Sequence, residues 1–63
     1  MTQKELAYVE DAIGHEKIMI ELCNKTIKEL KTKELREFMQ EELTNHEEIY
    51  NDLITYLEGE TNE

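Results

Sequence analysis

The chain has 63 residues, with 16 Asp and Glu against 7 Lys and Arg, for a formal net charge of −9. That length allows one domain (1–63) at most and lies near the size at which a lone core is marginal without disulfides, metal or a partner. The charge balance disfavours nucleic acid and anionic lipid, which would be repelled by a chain with no basic stripe, and the one cysteine, Cys23, excludes an internal disulfide and fits a reducing compartment.

The opening Met1-Thr2-Gln3-Lys4 has no basic region followed by an apolar run, so no secretory signal is expected. Apolar windows are short and broken by charge, which argues against membrane insertion and for a cytoplasmic location. Regular apolar spacing and the absence of proline favour helix over disorder.

The first element is predicted as a helix over about 4–30. Thr2 is placed to cap it, and Glu5 three residues later completes the sequence form of a capping box. Tyr8, Val9, Ala12, Met19, Ile20, Cys23, Ile27 and Leu30 recur at helical spacing and make a broad apolar stripe, with Ile13 and Leu22 beside it. His15 and Glu16 project to its shoulders, where their polar tips would reach solvent. Glu10, Lys17, Glu21, Lys28 and Lys31 fall on the far side, and Glu21 to Lys25 is an i,i+4 pair in the favourable order. Gly14 is on the solvent side, to be tolerated there or to mark a kink.

A turn is expected over about 31–34, although Lys31-Thr32-Lys33-Glu34 contains neither glycine nor proline. Thr32 suits an N-cap, and Lys31 suits a helix C-terminus. Phase is the stronger argument. The stripe of the first part projects in a different direction from that of the second, so a single straight helix would wrap its apolar face around to the other side. A short turn lets both faces point inward.

The second helix is predicted over about 35–58. Leu35, Phe38, Met39, Leu43, Ile49, Tyr50, Leu53 and Leu57 form its stripe, with Glu42 and His46 set among them four residues apart. Gly59 reads as the stop, with a frayed tail over 59–63. Each helix would be roughly 33 to 39 Å long.

Helices of similar length joined by a short loop become antiparallel neighbours, giving an all-α two-helix hairpin. Such a pair leaves apolar width uncovered, and a homodimer closing a four-helix bundle is the simplest cover, against a monomeric hairpin or a larger oligomer. Core or interface positions are then Tyr8, Ala12, Met19, Cys23, Ile27, Leu35, Phe38, Met39, Ile49 and Leu53. Cys23 reads as a small buried apolar group.

Glu16, Glu42 and His46 are the candidate polar cluster inside that bundle. In one reading they are a satisfied network, with Glu42 bonded to His46 across a helical turn or to a tyrosine hydroxyl of the partner. In the other they are metal ligands: doubled by a two-fold, they supply four carboxylates and two imidazoles, a donor set suited to iron or manganese rather than structural zinc. No cofactor is the simpler expectation. No phosphate-cradling loop or nucleic-acid motif is present, and nucleophilic catalysis has little support because the one thiol is predicted to be interior.

The stretch Glu5-Leu6-Ala7-Tyr8-Val9-Glu10-Asp11-Ala12-Ile13-Gly14-His15-Glu16, followed by Lys33-Glu34-Leu35-Arg36 and the His46 helix, resembles the short Coat F-like spore coat proteins of spore-forming Firmicutes. These are small relatives of the ferritin-like superfamily, and the likeness runs from Thr2 to about Gly59. The resemblance implies a ferritin-like half-bundle, location in the spore coat, and a structural or assembly role with itself and other coat proteins as partners. It aligns Glu16 with the lone first-helix carboxylate, and Glu42 with His46 as the second-helix pair. Glu42-Leu43-Thr44-Asn45-His46 departs from the superfamily's Glu-x-x-His by one residue. The second function to be weighed is therefore a small di-metal protein with a redox or metal-handling role.

Overall fold

In the computed structural model, which describes the backbone of residues 1–61 and the side chains of residues 1–59, the chain is two helices joined by a three-residue turn. The first, α1, spans Gln3–Glu29. Thr2 caps it in extended geometry: its hydroxyl accepts from the Glu5 N–H at 3.1 Å, while the Thr2 N–H donates to the Glu5 carboxylate at 2.8 Å. Two of the amides left over at a helix start are thereby satisfied, and the predicted capping box is present. α1 then runs unbroken through Gly14, whose φ is not positive.

α1 ends at Leu30, which turns extended (φ −76°, ψ 134°) while its N–H still reaches the Thr26 carbonyl at 3.0 Å. Leu30 is half-buried, so the residue that leaves the helix keeps an apolar anchor. The second helix, α2, spans Lys33–Thr61. It starts two residues before the predicted position because the Thr32 carbonyl already accepts the Arg36 N–H at 3.0 Å, which brings Lys33 and Glu34 into its first turn. A carboxylate at that position suits the helix N-terminus.

Gly59 does not stop α2. The helix continues through it to Thr61, and no glycine takes the positive φ of a C-terminal cap. Glycine alone costs a helix only about 1 kcal/mol against alanine, and it terminates one when the chain turns away, which here it does not. The tail expected to fray from 59 is thus helical to 61, and residues 62–63 lie outside the described residues. Thr44 and Thr55, poor helix formers, return their hydroxyls to the carbonyls of Gln40 and Asn51 four residues back (3.1 and 2.9 Å).

The two helices pack antiparallel into a rod of 47 × 15 × 12 Å. Two helices side by side make a single layer, so both broad faces of the hairpin are open. The radius of gyration is 14.5 Å, where a compact chain of this length would have about 10.6 Å. Cys23 (2% exposed) and Leu43 are its buried apolar residues, with Glu16 (9%) beside them. Ala12, Met19, Ile27, Met39 and Leu53, expected in the core, are half-buried. No described helix is long and apolar enough to cross a membrane.

Candidate functional site

The stripes that fold the hairpin also bring two ionisable groups together. Glu16 stands at the middle of α1 and His46 near the middle of α2, and the carboxylate Oε2 meets the imidazole Nδ1 across the seam. Only 11% of the Glu16 side chain and 19% of the His46 side chain reach solvent. An ionised carboxylate only accepts, so Nδ1–H is the donor whenever Glu16 is charged, whether the ring is neutral or cationic. Among the described residues no buried side-chain nitrogen or oxygen lacks a hydrogen-bond partner. The polar centre of the seam is therefore satisfied within one chain.

This corrects two expectations. Glu16 is not on a shoulder with its tip in water. It lies seven residues before Cys23 on the most buried line of α1, while His15 is the exposed neighbour. Nor does His46 turn to Glu42 one helical turn away, because its ring faces α1 and takes Glu16 from the opposite helix. Glu42 is half-buried, and Glu41, Glu47 and Glu48 are exposed. Among the described residues no three His, Cys, Asp or Glu side chains converge in a way that would hold a metal ion. Glu16, Glu42 and His46 thus do not make a metal site inside a single chain. A surface depression of about 540 Å³, lined by Glu37, Gln40, Glu41, Thr44 and Asn45, is on the outer side of α2 away from Glu16 and His46.

The second feature is one-sided exposure of apolar side chains. In α1, Tyr8 (61% exposed), Ile18 (64%) and Leu22 are turned away from the Glu16–Cys23 line in one rotational sense, at about 100° per residue. In α2, Phe38 (56%), Ile49 and Tyr56 (68%) are turned from the Leu43–His46 line in the same sense, with Leu35 nearer the seam at the turn end. For antiparallel helices, equal rotations in each N-to-C frame lead to the same face of the pair. All seven side chains therefore share one broad face of the rod. On the opposite face Asn24, Lys28, Arg36, Gln40, Glu47 and Glu58 are exposed, and its apolar members Leu6, Ile13 and Ile54 are half-buried.

These positions belong to series with gaps of three and four: 8, 11, 15, 18, 22 in α1 and 35, 38, 42, 45, 49, 52, 56 in α2. Asp11, His15, Glu42, Asn45 and Asp52 fill the polar places, so the face is apolar in patches. Comparison of the chain with known family models, with curated proteins and with solved structures finds no match to any of them.

Tyr8, Leu35, Phe38 and Ile49 were expected at the core or interface, and the hairpin leaves all four exposed. Ile18 and Tyr56 were missed as members of this face. Both sit on the flank of a broad stripe, where a single-helix projection weakens, and the signal that finds them is the three-and-four series shared by the two helices.

Proposed function

We propose that the chain is a structural, self-associating subunit: a helical hairpin that pairs with a second copy through its apolar face to close a four-helix bundle, and that such bundles build a proteinaceous layer of spore-coat type. The observation that carries this reading is the face of Tyr8, Ile18, Leu22, Leu35, Phe38, Ile49 and Tyr56 on a rod one helix thick. Stable domains pack two layers around a core, and this hairpin has one.

The surface area agrees. The chain exposes 5141 Å², against about 4,250 Å² for a typical folded monomer of its 7.5 kDa mass. That excess of about 900 Å² is close to the roughly 800 Å² per partner that a standard interface covers. A second hairpin laid on the face would also enclose Glu42, which is half-buried already. The coat setting draws on the resemblance to Coat F-like proteins, while the self-association draws on the face itself.

Sedimentation of the full chain tests the proposal. The wild type should run as a dimer at micromolar concentration, and Phe38→Asp with Ile49→Asp should run as a monomer of lower helix content. A wild type that stays monomeric up to about millimolar concentration, where even weak association would register, would overturn it. Metal measured in the same sample separates the alternative: about one iron or manganese per chain would recast the bundle as a di-metal protein, with Glu16, Glu42 and His46 from both copies as its donors.

A further inference from the structure

The charges of the chain are sorted along the rod. Positions 25–36, around the turn, hold five of the seven basic residues (Lys25, Lys28, Lys31, Lys33 and Arg36) against Glu29 and Glu34. Positions 1–11 and 52–59, at the open end, hold Lys4 alone against five carboxylates, Glu5, Glu10, Asp11, Asp52 and Glu58. Folding into a hairpin sends these two groups to opposite ends of a body 47 Å long. At about 0.1 M salt the Debye length is about 10 Å, so the ends of one molecule cannot neutralise each other. Lys33 has a local partner in Glu37 at 4.0 Å, both exposed, and the charged side chains of both ends are open to counterions or to a second molecule. The turn end also has a shape to receive one, a groove of about 280 Å³ lined by Lys31, Lys33, Arg36, Glu37 and Gln40.

We infer that the basic turn end of one hairpin docks the acidic open end of another, joining copies head to tail. The partner is a second copy because the chain itself supplies the complement: the part of the described surface where cations prevail faces, across such a joint, an end where carboxylates outnumber Lys4 five to one. A contact between two different patches does not close on itself unless the rotation allows a ring, so it propagates into an open chain. Outside the apolar face the overall charge of −9 sets the direction, since contact between acidic flanks is repulsive while contact of the turn end with the open end is not. The inference extends the self-association reading and shares with it only the identity of the partner; its residues and its physics are different.

Salt separates the two contacts. A joint made of exposed charges weakens as salt rises, whereas an apolar interface persists. Sedimentation and light scattering of the full chain at about 20 mM and about 500 mM sodium chloride, on either side of the physiological screening range, read both. Species larger than the dimer are expected at low salt and should be at least tenfold depleted at high salt, leaving the dimer. Lys31→Glu with Lys33→Glu should abolish the large species at low salt. Both positions tolerate a carboxylate, one in the turn and one at a helix start, and circular dichroism checks that the helices remain. Mixing that variant with one carrying Asp52→Lys and Glu58→Lys should restore them through the reversed pair of ends. A wild type with no species beyond the dimer at low salt, or a turn-end variant that assembles as the wild type does, would overturn the inference. Collapse at high salt to monomers instead of dimers would leave the head-to-tail joint standing and remove the apolar-face dimer.

Discussion

Glu16 and His46 show how a small core accommodates charge. Each would be costly there alone, because a buried polar group without a partner loses its water and gains nothing. Together they satisfy each other, with no other described buried side-chain nitrogen or oxygen left over. Glu16→Ala should therefore destabilise the hairpin by about 1 to 3 kcal/mol, chiefly by leaving the imidazole unpaired in the seam. Replacing both, as Glu16→Leu with His46→Leu, should cost far less than the sum of the single changes, since apolar replacement of a buried pair is often neutral or stabilising. Thermal or urea unfolding of the two singles and the double completes the cycle, and additive losses would show that the contact contributes nothing. Half of this site was legible in the sequence. Two ionisable residues on apolar stripes marked Glu16 and His46 for attention, but which carboxylate the imidazole would choose depended on the stagger between the helices, which a turn without glycine or proline does not announce.

At the scale of the helix, local chemistry was the most readable layer. Thr2 and Glu5 form the capping box that their spacing indicates, and the box ties helix stability to pH. The hydrogen bond from the Thr2 backbone N–H, then that from its side chain, hold the Glu5 carboxyl below its ordinary value. A carboxyl whose folded value is depressed contributes stability that is present above its unfolded value and lost as pH falls through the folded one. The first turn of α1 should accordingly lose amide protection between about pH 4.5 and the lower folded value, and Glu5→Gln should remove that acid dependence in a hydrogen-exchange series. Gly14 carries the opposite prediction. It is helical, its φ is not positive, and an added Cβ would meet nothing within 4 Å. Gly14→Ala should raise stability by about 0.5 to 1 kcal/mol, seen as a higher midpoint of urea unfolding. Helix ends were less legible than starts. Gly59 looked like a stop, yet glycine ends a helix only where the chain bends away, and no turn follows it among the described residues.

For the whole molecule, the apolar pattern predicted the hairpin correctly, while the individual exposures depended on how two stripes wider than one seam share their side chains. A two-helix seam hides one line of each stripe, through Cys23 and Leu43, and leaves the flanks with Tyr8 and Phe38 outside. On the self-association proposal, that remainder would make the folded state concentration-dependent. If pairing covers the face, the unfolding temperature should rise with protein concentration, because a partner that binds only the folded form stabilises it by mass action. Calorimetry over a hundredfold range of concentration checks this, and a constant temperature would mean that the hairpin is stable alone.

The central placing of Glu16 and His46 has a further effect, on how the two helices align. A seam of aliphatic side chains buries nearly as much area after one helix slides past the other by a turn, and nothing in the turn sequence forbids such a slide. Sliding by a turn, about 5.4 Å, would leave both a carboxylate and an imidazole facing hydrocarbon. One polar contact thus acts as an index mark, selecting a single alignment from several that the hydrophobic effect alone would accept, much as a lone polar residue fixes the register of a coiled coil.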